Sequence, residues 1–162
     1  AVGLRASGAA GLAGSGAAMT AWAAERMGLT SQFVDHSGLG NASRITAADM
    51  VRALLWSQRA QGGLKPILRK YVMRNDAGEE IEGNPVQIVA KSGTLNFVSG
   101  LAGHIAPPGG REVVFAIFAA DTARRAALTE AEREDPPGGD AWTKRARRLQ
   151  GQLINRWAGA YG

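Results

Sequence analysis

The sequence predicts an α/β fold of the α+β kind, an antiparallel sheet flanked by helices. Two observations carry that prediction. Val86 to Lys91, Phe97 to Ile105 and Val113 to Ala119 are three β-branched and aromatic runs separated by short turn-like segments, the pattern of antiparallel strands joined locally. Before Gly62 and after Gly139, apolar residues recur instead at helical spacing, so helices lie to either side of the strands in the chain.

The first stretch, Ala1 to Ala18, is rich in small residues and lacks the basic start and sustained apolar run of a secretory signal. Met19, Trp22, Ala23 and Met27 share one helical face, with Ser15 as N-cap and Gly28 just past the end. Phe33-Val34-Asp35 is expected to be a short extended segment running into the turn-rich Asp35 to Asn41. Thr46 stands three residues before Asp49, close to a capping box, and Met50, Val51, Leu54 and Leu55 follow on one face of a second helix reaching about Ala60.

Gly62-Gly63 ends that helix, and Leu64 to Met73 has no clear period and is assigned no element. Asn75 to Glu82 is an acidic surface excursion. The three strand runs follow, the second and third linked by Pro107-Pro108-Gly109-Gly110, a turn. In the last run Val113, Phe115 and Ile117 alternate with Val114, Ala116 and Phe118, so the strand is expected to be covered on both faces. Asp121 to Glu134 is expected to form a short solvated helix, ended by Pro136-Pro137-Gly138-Gly139. Trp142, Ala146, Leu149, Leu153 and Trp157 then make a stripe that places a terminal helix on the sheet.

Composition narrows the function. A chain of 162 residues with 45% hydrophobic content can bury one core comfortably, so one domain or part of one is expected. The absence of cysteine excludes disulfides, thiolate metal sites and a cysteine nucleophile. Nineteen Lys and Arg against fourteen Asp and Glu give a formal charge of +5, a modest pull on anions. No window is apolar for long enough to span a bilayer.

The chemistry concentrates in Ala90-Lys91-Ser92-Gly93-Thr94-Leu95, at the end of the first strand run. A glycine lets a strand lie against a bound peptide backbone because no side chain intervenes. Hydroxyls on either side of it can donate to a carboxylate, and a lysine adds positive charge to the same region. Alone, four residues of this kind also fit a strand end running into a glycine turn.

Lys91-Ser92-Gly93-Thr94 is similar to the Lys-Thr-Gly box of penicillin-binding proteins and serine β-lactamases, with serine in the threonine place. Asp35-His36-Ser37-Gly38-Leu39 resembles the Asp-Gly-Ser-Gly-Leu-Ser box of the low-molecular-mass class C penicillin-binding proteins, the S13 family of D-alanyl-D-alanine carboxypeptidases and endopeptidases, with His36 for a glycine and Gly40 for a serine. Asn41, Ser43-Arg44-Ile45-Thr46, the helix from Ala47 and Gly100-Leu101-Ala102-Gly103 continue the same succession, so the resemblance runs from about Gly28 to Trp157.

The resemblance implies part of the transpeptidase fold shared by penicillin-binding proteins and serine β-lactamases, working in the periplasm on peptidoglycan stem peptides or β-lactams without metal or organic cofactor. By the same resemblance Lys91 attracts substrate and joins a network around a Ser-x-Asn element. Ser92 and Thr94 contact the terminal carboxylate, Gly93 gives the substrate backbone room, the Thr94 N–H is one oxyanion-hole donor and Leu95 lines the side-chain pocket. The chain departs from the family in having no Ser-x-x-Lys nucleophile and no Ser-x-Asn. It is therefore expected to be residues 1–162 of a longer enzyme's C-terminal portion, inactive alone, with the missing amino-terminal part as its partner.

Other residues have plainer readings. Asp35 and Ser37 are expected to form an Asx-type turn, and His36 and His104 to serve structural roles, since neither has a partnered nucleophile. Lys144-Arg145 and Arg147-Arg148 are expected to form a solvated helix face rather than a nucleic-acid patch. Two other functions stay open: a catalytically inactive homologue that binds cell-wall peptide, and a basic nucleic-acid-binding domain.

Overall fold

The computed structural model describes residues 2–38, 40, 42–59, 63–75 and 77–161. The chain divides into two units, Ala1–Gln61 and Gly62–Gly162.

In the first unit, α1 (Val2–Ser7) precedes α2 (Leu12–Met27), which stops where the sequence says it should: Gly28 takes φ 65° and its N–H reaches the Ala23 and Ala24 carbonyls. The start differs. Gly11, not Ser15, stands before the helix, and Ser15 lies a turn inside it, fully buried, because its hydroxyl is held 2.5 Å from His36 Nε2. A Cβ at Gly16 would lie 2.7 Å from the Val34 carbonyl carbon, so only glycine lets α2 touch that backbone. The Phe33 N–H donates to Thr20 Oγ1 at 2.9 Å, and Gln32 and Arg44 exchange backbone bonds of 2.8 and 2.7 Å that anchor the extended segment.

Helix α3 (Ala47–Arg59) begins under the Thr46 hydroxyl, which accepts the Asp49 N–H at 3.0 Å. The Asp49 carboxylate is drawn inward to the Thr30 hydroxyl at 2.9 Å and is 1% exposed. That inward turn centres the buried face on Asp49, Leu54 and Ser57 and leaves Leu55, expected on the same face, 42% exposed. Ala60, the expected end, lies outside the described residues, as do Leu39 and Asn41 of the turn-rich loop.

The second unit is a four-stranded antiparallel sheet in the order β1 (Arg69–Lys70), β2 (Gln87–Leu95), β3 (Val98–Ala106), β4 (Val113–Ala120). The sequence predicts three of these strands. The fourth, β1, falls in the unassigned segment after a single 3-10 turn at Lys65–Ile67. Strands β2 and β3 pair without interruption from Gln87↔Ala106 to Leu95↔Val98, so the Lys91 motif lies within a strand rather than at its end. Phe97, expected to open β3, is instead in the turn at φ 58°. Its ring is fully buried, under the Arg124 guanidinium at 4.3 Å and edge-on to Trp142, and this packing offsets the cost of a left-handed aromatic residue.

Strand β4 buries Phe115 and Ile117 but leaves Phe118 41% exposed, so it is not covered on both faces. One helix, α5 (Gly139–Tyr161), packs on the sheet, and it packs against β3 and β4. Its buried line is Ala146, Gln150, Ile154 and Ala158, with Leu153 and Trp157 beside it. Leu149 is 47% exposed, because Gln150 turns inward to donate from Nε2 to Ser99 Oγ at 3.1 Å. The core joins Ile154 and Ala158 to Met73, Ile88, Ala90, Leu101, Ile105, Phe115 and Ile117. In place of one helix between Asp121 and Glu134 there are α4 (Thr122–Ala126) and a 3-10 turn at Ala131–Arg133. The Glu132 carboxylate caps the Thr129 N–H and hydroxyl and so starts a separate turn.

A candidate substrate-binding edge

Strand β1 covers β2 only at Ala90 and Val89, opposite Arg69 and Lys70. From Lys91 onward no strand among the described residues lies against that side of β2. The Tyr71 N–H donates to the Ile88 carbonyl at 2.9 Å, so the main-chain groups of Ile88 point outward. The two-residue pleat then turns those of Ala90, Ser92 and Thr94 the same way. Ser92 and Thr94 thus offer N–H and C=O groups along an open edge, in a stretch from Lys91 to Thr94 that is exposed throughout.

Side chains alternate across the same stretch. Ile88 and Ala90 belong to the core that α5 covers, which puts Ser92 and Thr94 on the α5 face and Lys91 and Gly93 on the other. The Lys91 ammonium curls to the Ser92 carbonyl oxygen at the edge. A partly open cleft of about 350 Å³ is lined by Arg69, Lys70, Tyr71, Ala90, Lys91 and Ser92. Of the residues singled out in the sequence, Lys91 and Ser92 thus line one cleft. Gly93 and Thr94 continue along the same edge, and Leu95 is half-buried beyond them.

The sequence missed the rest of this cleft. Arg69, Lys70 and Tyr71 came from the unassigned segment. Beyond the cleft, Arg147 is exposed, as expected of a solvated face, and sends Nη2 to within 3.4 Å of Thr94 Oγ1, a contact the sequence does not show. Burial pushes the Tyr71 phenol above its ordinary 10.0, and the Arg147 and Arg74 charges pull it back. Among the described residues none of Arg69, Lys70, Lys91 and Arg147 is paired with a carboxylate.

The Asp35 loop is built as a turn. Asp35 accepts the Ser37 hydroxyl at 3.0 Å and the Ser37 and Gly38 N–H groups, and the Ser37 hydroxyl above all holds its carboxyl below the ordinary 3.8. His36 does have a serine partner, Ser15, but that hydroxyl is fully buried, which suits an anchor and not a nucleophile. His104 is 1% exposed on β3, with Nδ1 3.1 Å from Glu112 Oε1. Among the described residues no cluster of three or more His, Asp or Glu is arranged to hold a metal ion, and no helix is long and apolar enough to cross a membrane.

An edge strand bearing Lys-Ser-Gly-Thr, in an antiparallel sheet backed by a terminal helix, fits the penicillin-binding and serine β-lactamase folds. The family model described as the beta-lactamase enzyme family matches residues 11–144, and the chain belongs to that family. A chain in the solved structure of the Bd0816 predatory endopeptidase from Bdellovibrio bacteriovorus, in complex with immunity protein Bd3460, is similar at 23% identity and a TM-score of 0.52. That likeness is one of fold; it covers 87% of this chain and 37% of the solved one, so the present chain spans well under half the length of that relative. No curated protein matches the sequence.

Proposed function

We propose that this chain carries the substrate-binding edge of a serine-type D-Ala-D-Ala peptidase of the S13, class C penicillin-binding group, acting in the periplasm on peptidoglycan stem peptides. The carrying observation is the open stretch of β2, where Ser92 and Thr94 turn main-chain groups outward beside the Lys91 ammonium. Such an edge takes an extended peptide as an added strand. A β-lactam would occupy the same groups in place of the peptide.

In this reading the Ser92 and Thr94 hydroxyls hold the substrate's terminal carboxylate, and Gly93 keeps the strand face clear. The Thr94 N–H donates to the oxyanion that forms when a serine attacks the D-Ala-D-Ala amide carbon, and Leu95 borders the side-chain pocket. D-alanine leaves, and water then cleaves the ester. One donor of this kind is typically worth about 3 kcal/mol to the transition state. The 162 residues hold no Ser-x-x-Lys, so in this reading residues 1–162 are the C-terminal portion of the enzyme and the nucleophile lies in another segment.

The test is covalent labelling by a fluorescent penicillin of the polypeptide that joins this chain to its upstream sequence. Labelling is expected, and Lys91→Ala should slow it about a hundredfold, the scale of losing one preorganised electrostatic contact. An unchanged rate would remove Lys91 from the site. No labelling together with retained binding of D-Ala-D-Ala peptide would place the protein among non-hydrolytic cell-wall binders.

A further inference from the structure

The helix α5 runs along the same face of the sheet as the Ser92 and Thr94 hydroxyls, and one of its arginines reaches the Lys91 to Thr94 stretch. Lys144, Arg145, Arg147 and Arg148 are all exposed along the helix, and Arg147 reaches across to Thr94 Oγ1 and places its charge near Tyr71, which lines the cleft. At 3.4 Å that contact is long for a hydrogen bond. No other acceptor among the described residues takes its remaining N–H groups. On the opposite flank, Arg69 pairs with Ala90 and so shares the α5 face one pleat from Ser92. Two guanidinium groups and two hydroxyls thus stand along one side of an open strand edge, and among the described residues no carboxylate pairs with either guanidinium.

A guanidinium presents parallel N–H donors matched to a carboxylate, which a hydroxyl or an ammonium does not. We infer that Arg147 is a substrate-binding residue: it takes the C-terminal carboxylate of the bound peptide together with the Thr94 and Ser92 hydroxyls and makes the site select a free carboxylate over an amide. This rests on the reading of the β2 edge as a peptide site. It adds a determinant from the terminal helix, outside the Lys91 to Thr94 motif.

Carboxylate preference is the measurement that decides it. The polypeptide that joins this chain to its upstream sequence, with its nucleophilic serine replaced by alanine, is titrated at low salt with an N-acylated peptide ending in D-Ala-D-Ala and with its C-terminal amide, while the Ser92 and Thr94 amide resonances are followed. The free acid should bind about tenfold more tightly, the scale of one charge-assisted contact. Arg147→Gln should reduce that preference to about twofold, with Arg147→Lys between the two. Arg145→Gln removes the same net charge from the same helix and should leave the preference intact. If Arg147→Gln binds peptide with undiminished preference for the acid, Arg147 is not the determinant, and the β2 edge stands without it. If that polypeptide with Arg147 intact binds neither peptide and the Ser92 and Thr94 resonances stay fixed, the edge is not a peptide site and the inference falls with it.

Discussion

The two units are held together by different forces. In Gly62–Gly162 nine buried residues, six of them large aliphatic or aromatic side chains on β2, β3, β4 and α5, form one contiguous apolar cluster. In Ala1–Gln61 the only fully buried hydrophobic side chains are Ala23, Leu29 and Leu54 among the described residues. Its segments are tied instead by polar side chains on backbone groups: Thr20 on Phe33, Asp49 on Thr30, Thr46 on Asp49, Ser43 on Val34. Apolar burial scales with area and tolerates small shifts, whereas a hydrogen bond has one partner and one geometry. The first unit should therefore open more readily, and the sheet that presents the Lys91 edge should be the stable part.

The largest expected effect is in the second unit. Ile154 is fully buried at the centre of the cluster, and Ile154→Ala should cost about 3 kcal/mol through lost transfer energy and the cavity left behind. Chemical denaturation would read this as a fall in midpoint with an unchanged slope. A loss below 1 kcal/mol would mean that the cluster is not the main source of the sheet's stability. Next comes Thr20→Val, which keeps the shape of the side chain but leaves the Phe33 N–H without its acceptor, at a cost of about 1.5 kcal/mol. Hydrogen exchange should accelerate at the amides of α2 and of residues 32–44 while the β2 to β4 amides keep their rates. Acceleration in both units alike would show that they open together and would erase the contrast.

What the sequence made legible follows the same division between local and distant chemistry. The stop of α2 at Gly28, the Thr46 cap, the Asp35 turn and the three long strands each depend on residues within a few positions of one another, and each is found. β1 was invisible because Arg69-Lys70 is two charged residues with no period of its own. It exists because Val89 and Ala90, some twenty residues later, offer it a ladder. The inner line of α5 was misread because Leu149 counts as apolar and Gln150 as polar, and only the Ser99 hydroxyl makes Gln150 the inward residue. At the candidate site the residue types of the motif were readable from the sequence. Its position inside a strand was not, since Gly93 in isolation marks a break as readily as a clear surface. The contact of Arg147 with Thr94 was hidden for a further reason: helical periodicity places the arginine on the exposed face, where it is, and is blind to what stands across from it.

The smallest effect is one of pH, and it acts on the more stable unit first. His104 is 1% exposed on β3, facing Glu112, which in turn is bonded to the Lys65 ammonium. Burial pushes the imidazole below its ordinary 6.5; the Glu112 bond and charge oppose that shift without cancelling it, and Lys65 adds to it. The folded chain therefore takes up this proton at lower pH than the unfolded chain does. Above pH 6.5 neither form carries the proton and stability is complete; as pH falls from there through the folded value, the unfolded state binds more protons and the second unit weakens. The first unit has its counterpart in Asp49. Burial works against its charge, but the Thr30 and Thr46 bonds and Arg52 outweigh it and hold its carboxyl below 3.8, so that contribution drains only in stronger acid. Hydrogen exchange corrected for intrinsic rates should thus show protection in β3 and β4 falling between pH 7.5 and 5.5, while α2 and α3 hold theirs. In His104→Gln, which removes the proton-binding group, the β3 and β4 decline should flatten. A decline that persists in that variant would move its origin away from His104.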